Sequence, residues 1–298
     1  MRIPAKTRGS SRAFTIKSLL VPLLTHPRVA QFIKWTIYLA LVFNFGIYGY
    51  DDWMAYKSAL ATDAPWSDIF EQFATTIDMA GWLGLVFLFE LETYALPDGA
   101  FKAWVTKTLH AVRIVCYVGI VYAAYGYTVN TLNYYDYVDV DRLTELCQIA
   151  DQGRTLQLDI IAYTPITSEN CAGIPAGAPF YRDAAEISVI DGPTLNHVIK
   201  LSWVDVANAF VWLIVVFLIE VEIRIQAADR FDSRSLKPVR MLKTIFYFEL
   251  IINAVIWGAT GYPIYAWDAF LWIFGFWAIE LNLAEWEQER VQELAAAL

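Results

Sequence analysis

The chain has 298 residues, of which 57% are hydrophobic and 16% aromatic against only 18% charged, with a formal net charge of -9. A soluble domain carries about 25% charged residues, so this composition and a mean hydropathy of +0.41 point to a membrane protein. The acidic balance argues against a nucleic-acid partner, which requires a basic face for the phosphates.

The first segment is basic. Residues 1–34 hold Arg2, Lys6, Arg8, Arg12, Lys17, Arg28 and Lys34 and no acid. An apolar patch around Leu19 to Leu24 is broken by Pro22, which reads as a short interfacial helix and not as a cleaved signal. Residues 1–31 are therefore expected to form a basic cytoplasmic arm.

Six segments then approach the roughly 20 apolar residues that a spanning helix needs, near 32–50, 72–96, 108–130, 203–223, 243–262 and 264–284. These runs are too long and continuous for the alternating strands of an outer-membrane barrel. The expected fold is an all-α, multi-pass bundle in a bacterial inner (plasma) membrane. Helices 1–3 fall in 32–133 and helices 4–6 in 203–284, with an acidic cytoplasmic tail over 285–298. Lys and Arg concentrate on the cytoplasmic side of short loops. Residues 1–34 and 223–243 are basic, whereas 51–68 and 134–200 are acidic, so both termini are expected inside.

The longest loop, 134–202, carries turn signals at Gly153 and over 172–179, and a strand-like run at Leu156 to Tyr163. It reads as a small extracytoplasmic cap. Cys147 and Cys171 both lie in it, and an oxidising exterior predicts a disulfide between them. Cys116, inside the third span, reads as a small packing residue.

The second, fourth and sixth spans align without a gap. Asp78, Asn208 and Asp268 are each followed four residues on by Trp82, Trp212 and Trp272, and nine on by Phe87, Phe217 and Trp277. Twelve on come Glu90, Glu220 and Glu280, and fourteen on Glu92, Glu222 and Asn282. The odd spans share a Gly-Tyr pair at their outer ends, Gly49-Tyr50, Gly126-Tyr127 and Gly261-Tyr262. Such self-similarity predicts three repeated helical hairpins, with the cap inserted between helices 3 and 4.

At about 100° per residue the Asp/Asn, Trp and two Glu positions share one half of the helix, with the ninth-position aromatic on the other side. Ionisable groups within a span face the bundle interior or a water cavity, because facing lipid costs at least a few kcal/mol. Two polar levels are expected, roughly 18 Å apart. The outer holds Asp78, Asn208 and Asp268; the inner holds Glu90, Glu220 and Glu280, with Glu92 and Glu222 nearby. Like charges this close call for protons or a shared cation. The alternative is ion pairing of the inner level with Lys107, His110, Arg224, Arg240 and Lys243. Aligning Lys107 with Lys243 sets Arg113 against Glu249, which predicts a buried salt bridge between them.

Tyr48, Tyr50, Trp53, Tyr125, Tyr127, Tyr134 and Tyr135 gather at the outer helix ends and read as an interface belt. No CxxC, P-loop, Gly-rich dinucleotide loop or HExxH is present, and only His110 of the three histidines lies in a span. No cofactor or enzymatic activity is expected; a metal held by His110 with the glutamate level stays open, though the paired Glu-x-x-His elements of di-iron bundles are missing. The residues point to a small-cation or proton translocating protein that uses intramembrane carboxylates. The rival is a non-transporting membrane subunit or scaffold. Its partners would be lipid, a cation, and another membrane protein or further copies of the chain.

Overall fold

In a computed structural model, the described residues are 27–59, 65–91, 103–140, 143–177, 179–183, 186–226 and 236–276. Two compact units make up the chain, Met1–Ala40 and Leu41–Leu298. In the first, the Thr36 hydroxyl donates to the Phe32 carbonyl at 2.8 Å, and Trp35 meets Tyr38 edge to face. The packing and the cavity described below lie in the second unit.

The helices are α1 (Pro27–Ala59), α2 (Trp66–Gln72), α3 (Ala74–Glu90), α4 (Ala103–Asn133), α5 (Gly192–Gln226) and α6 (Leu236–Ala259), followed by α7 over 263–276. Three stretches are long and apolar enough to cross a membrane: Gln31–Ser58, Ala103–Asp136 and Gly192–Ile225. The pair α2 and α3, bent by 66° at Phe73, makes a fourth if it is one broken span. The protein is thus a largely helical membrane protein. The expected fifth span falls in α6, outside this set, and the sixth is described only to residue 276.

The all-α fold expected from the sequence, with one strand-like run in the cap, is corrected by a small sheet in the segment between α4 and α5. It holds five short strands, β1 (Val138–Asp139), β2 (Thr155–Gln157), β3 (Tyr163–Pro165), β4 (Phe180–Arg182) and β5 (Ser188–Asp191), in the order β1-β4-β5-β2-β3. Only β2 and β5 pair in parallel. The strand-like run at 156–163 is in fact the hairpin β2–β3. Its turn forms because Asp159 Oδ1 accepts the amides of Ile161 and Ala162 at 2.9 and 2.7 Å, a local bond that Asp makes readily. Cys147 and Cys171 are joined by a disulfide.

All four residues of β5 are buried, because successive side chains leave a strand on opposite faces. Val189 enters a core with Leu146, Leu156, Ile166, Cys171 and Phe180, while Ile190 enters a second one with Leu195 and Val198. Leu195 and Val198 belong to α5, which begins directly after β5 and is capped by Asp191 Oδ1 accepting the Thr194 amide at 2.8 Å. With 35 residues, α5 is roughly 52 Å long, more than the ~30 Å hydrocarbon core needs. Its first turns serve the cap.

Close helix packing relies on small residues. A Cβ at Gly81 would lie 2.6 Å from Ile120 Cγ1, and one at Gly84 would lie 2.6 Å from Cys116 Sγ. So α3 and α4 approach closely there, and Cys116 is the packing residue that was expected. Away from these contacts α4 exposes Val112, Val115, Val118 and Val121, a surface suited to lipid tails. Between α6 and α7, Gly261 has φ +99°, a conformation that L side chains rarely adopt.

Candidate functional site

The outer polar positions line one cavity. Asp78 of α3, Asn208 of α5 and Asp268 of α7 all reach it, with a further carboxylate, Asp205 of α5. The space open to a water-sized molecule is about 70 Å³. Roughly 10–15 Å³ of such space admits one water, so several fit. Among the described residues, no Lys, Arg or His lines it.

The carboxylates are held differently. Asp78 accepts Trp82 Nε1 at 3.0 Å, one turn along its own helix, and Asp268 accepts Asn44 Nδ2 at 2.7 Å from α1. Among the described residues, Asp205 accepts no hydrogen bond and pairs with no base. Next to the cavity, the buried Asp52 accepts both the amide and the hydroxyl of Thr76, at 2.9 and 2.6 Å, and so fixes the start of α3.

One turn beyond the Asp/Asn level the three indoles converge. Trp82 lies 6.1 Å from Trp212 and 6.2 Å from Trp272, and Phe276 sits 4.9 Å from Trp212. Each of the three tryptophans is 7% exposed, and together with Phe276 they form one wall of the cavity. The opposite helix faces carry Phe87 and Phe217, 67% and 66% exposed, as the 100° spacing expects; Trp277 lies outside the described residues.

Tyr48, Tyr127 and Tyr265 form another part of the lining. The first two were expected in an interface belt, and this placement corrects that reading. Tyr48 is buried against Tyr265, with ring centroids 5.2 Å apart. Tyr50, Trp53, Tyr125 and Tyr135 do stay exposed. Tyr134 turns into the cap, where its hydroxyl accepts Gln157 Nε2 at 3.1 Å.

The inner glutamates do not line this cavity. Glu222 is buried and bonds both Arg240 Nε, at 3.0 Å, and Lys243 Nζ. Glu220 is exposed and pairs with Arg224 one turn on, at 2.8 Å. Glu90 is half-buried in the last turn of α3; Glu92 and Glu280 lie outside the described residues. A salt bridge between Arg113 and Glu249 is not among the ion pairs of the described residues. No three His, Cys, Asp or Glu side chains among the described residues are grouped to hold a metal ion.

Asp205 escaped the sequence reading, although a signal existed. It lies three residues before Asn208, and the same offset from Asp78 and Asp268 gives Thr75 and Tyr265, which also line the cavity. Extending the aligned pattern one turn toward the outer ends would have found all three. No protein family, curated protein or solved structure matches the chain.

Proposed function

We propose that this is a small-cation or proton translocating membrane protein whose binding step takes place in the aspartate cavity. It would be a six-helix, three-hairpin protein of the bacterial inner membrane with both termini inside. The observation that carries this reading is the lining itself: three carboxylates on three helices, with no basic side chain among the described lining residues. Carboxylates gathered in a space that holds only a few waters, with no basic side chain among the described lining residues, are costly to keep ionised together. Protons or a cation would meet that charge. The bonds of Asn44 to Asp268 and of Trp82 to Asp78 orient two of the carboxylates without neutralising them.

A second reading, a non-transporting subunit or scaffold, is favoured by the inner level, where Glu222 is locked to Arg240 and Lys243. The two readings part in proteoliposomes. Translocation predicts flux of protons or of a monovalent or divalent cation, reduced about tenfold or more by Asp205→Asn, while Glu220→Gln, at an exposed pair, leaves it intact. Absence of any such flux from correctly folded protein, with another membrane protein co-purifying, would favour the scaffold.

A further inference from the structure

We infer that the occupant of the aspartate cavity is a small alkylammonium ion. This rests on the reading that the cavity receives positive charge, and it names the chemical class. Three features of the lining converge on it.

Asp78, Asp205 and Asp268 come from three helices and, among the described residues, do not form a group able to hold a metal ion. A bare hard cation asks for several oxygens converging at bonding distance. An ammonium group binds through N–H donors to individual carboxylates and needs no such converging shell.

Much of the remaining wall is aromatic. Trp82, Trp212, Trp272 and Phe276 border the same space. The indole planes of Trp82 are inclined by 58° to Trp212 and by 55° to Trp272, so these rings do not cover one another in parallel stacks. Aromatic faces attract organic cations and accept their methyl groups, and quaternary and alkylated ammonium ions are recognised in this way. A proton needs no such wall.

Hydrogen-bond acceptors complete the fit. Asp205 has no donor among the described residues, and Thr75 and Asn208 add neutral oxygens to the lining. An N–H of the ligand would therefore find Asp205 as its acceptor, with its alkyl groups against the indoles.

The test uses the full-length purified protein in nanodiscs, titrated with methylammonium, tetramethylammonium, Na+, K+ and Ca2+, and read by tryptophan fluorescence and calorimetry. Saturable binding of methylammonium about tenfold tighter than K+ supports the inference, and tetramethylammonium, which has no N–H for Asp205, should bind more weakly than methylammonium. A tenfold or greater loss in Asp205→Asn also supports it, as does a loss in Trp212→Leu that Trp212→Phe largely restores. If Trp212→Leu fails to fold, Trp212→Phe and Asp205→Asn still decide. Na+, K+ or Ca2+ binding as tightly as methylammonium would overturn the alkylammonium assignment and leave the cation reading standing. A pH-linked fluorescence change removed by Asp205→Asn, without ammonium binding, would do the same in favour of protons. No response to any cation or to pH would overturn both.

Discussion

Glu222 and Lys243 face each other across α5 and α6 with 2% and 3% of their surfaces exposed, and Glu222 also holds Arg240. One acid thus answers two bases. Removing the acid takes the carboxylate partner from the buried Lys243, and losing one side of a buried pair costs about 3–5 kcal/mol. Glu222→Leu is expected to destabilise the protein in detergent more than Lys243→Met, which leaves Arg240 as a partner. The double variant should be more stable than the sum of the two losses. Thermal unfolding of the four proteins measures this, and strict additivity would mean the pair is not coupled.

At Gly84 only the side chain of Cys116 stands in the way of a Cβ. Gly84→Ala is therefore expected to destabilise the α3–α4 contact by about 1–3 kcal/mol through overpacking, and Cys116→Gly should recover most of that loss in the double variant. At Gly81 the nearby Cys116 backbone carbonyl, 3.1 Å from a Cβ, cannot be trimmed. Gly81→Ala should therefore resist rescue by Cys116→Gly. Unfolding midpoints of the two series test the contrast.

The disulfide closes a loop across a sequence separation of 24 and joins parts of the core around Leu156 and Phe180. Loop closure of that length is worth about 3 kcal/mol. Cys147→Ser with Cys171→Ser should make the cap markedly more sensitive to limited proteolysis while the helical circular dichroism is retained. Peptide mapping without reductant should recover the crosslinked pair from the native protein.

Burial pushes the Asp183 carboxyl above the ordinary carboxylate range, against the amides of Ile187 and Ser188 that pull it back. The folded cap then keeps a proton that the unfolded chain has already released. Its contribution to stability is full below the unfolded value and is lost as pH rises through the folded one. Cap amides should therefore exchange more slowly toward about pH 4 than near pH 7, after correction for intrinsic exchange rates. Asp183→Asn, which keeps an oxygen for both amides, should flatten that difference. An unchanged profile in the variant would remove Asp183 as its source.

The helical runs and the outer polar level were legible because both express periodicity. Asp78, Asn208 and Asp268 recur in one frame with their tryptophans, and a fixed angle per residue carries that frame onto one helix face. Asp205 was not legible as a site residue because its counterparts, Thr75 and Tyr265, differ in chemistry; geometry groups them where residue type does not. The sheet was hidden for another reason. Strands of two to four residues are too short to express an alternation, and their order, with β5 between β4 and β2, depends on contacts distant in the chain. Ion pairs were legible only as a choice of partners. Many bases lie near the inner helix ends, and which of them reach Glu222 is decided by packing between α5 and α6.

The absence of a loop between β5 and α5 has a mechanical consequence. Asp191 ends the strand and caps the helix, so the orientation of the sheet fixes the rotational setting of α5 about its own axis. One residue inserted at this junction would turn the helix by about 100° relative to the sheet, unless the strand register gave way first. Asp205, Asn208 and Trp212 would then leave their wall of the cavity together. The cap is thus a fixed dial as well as a cover: it determines which face of α5 looks inward.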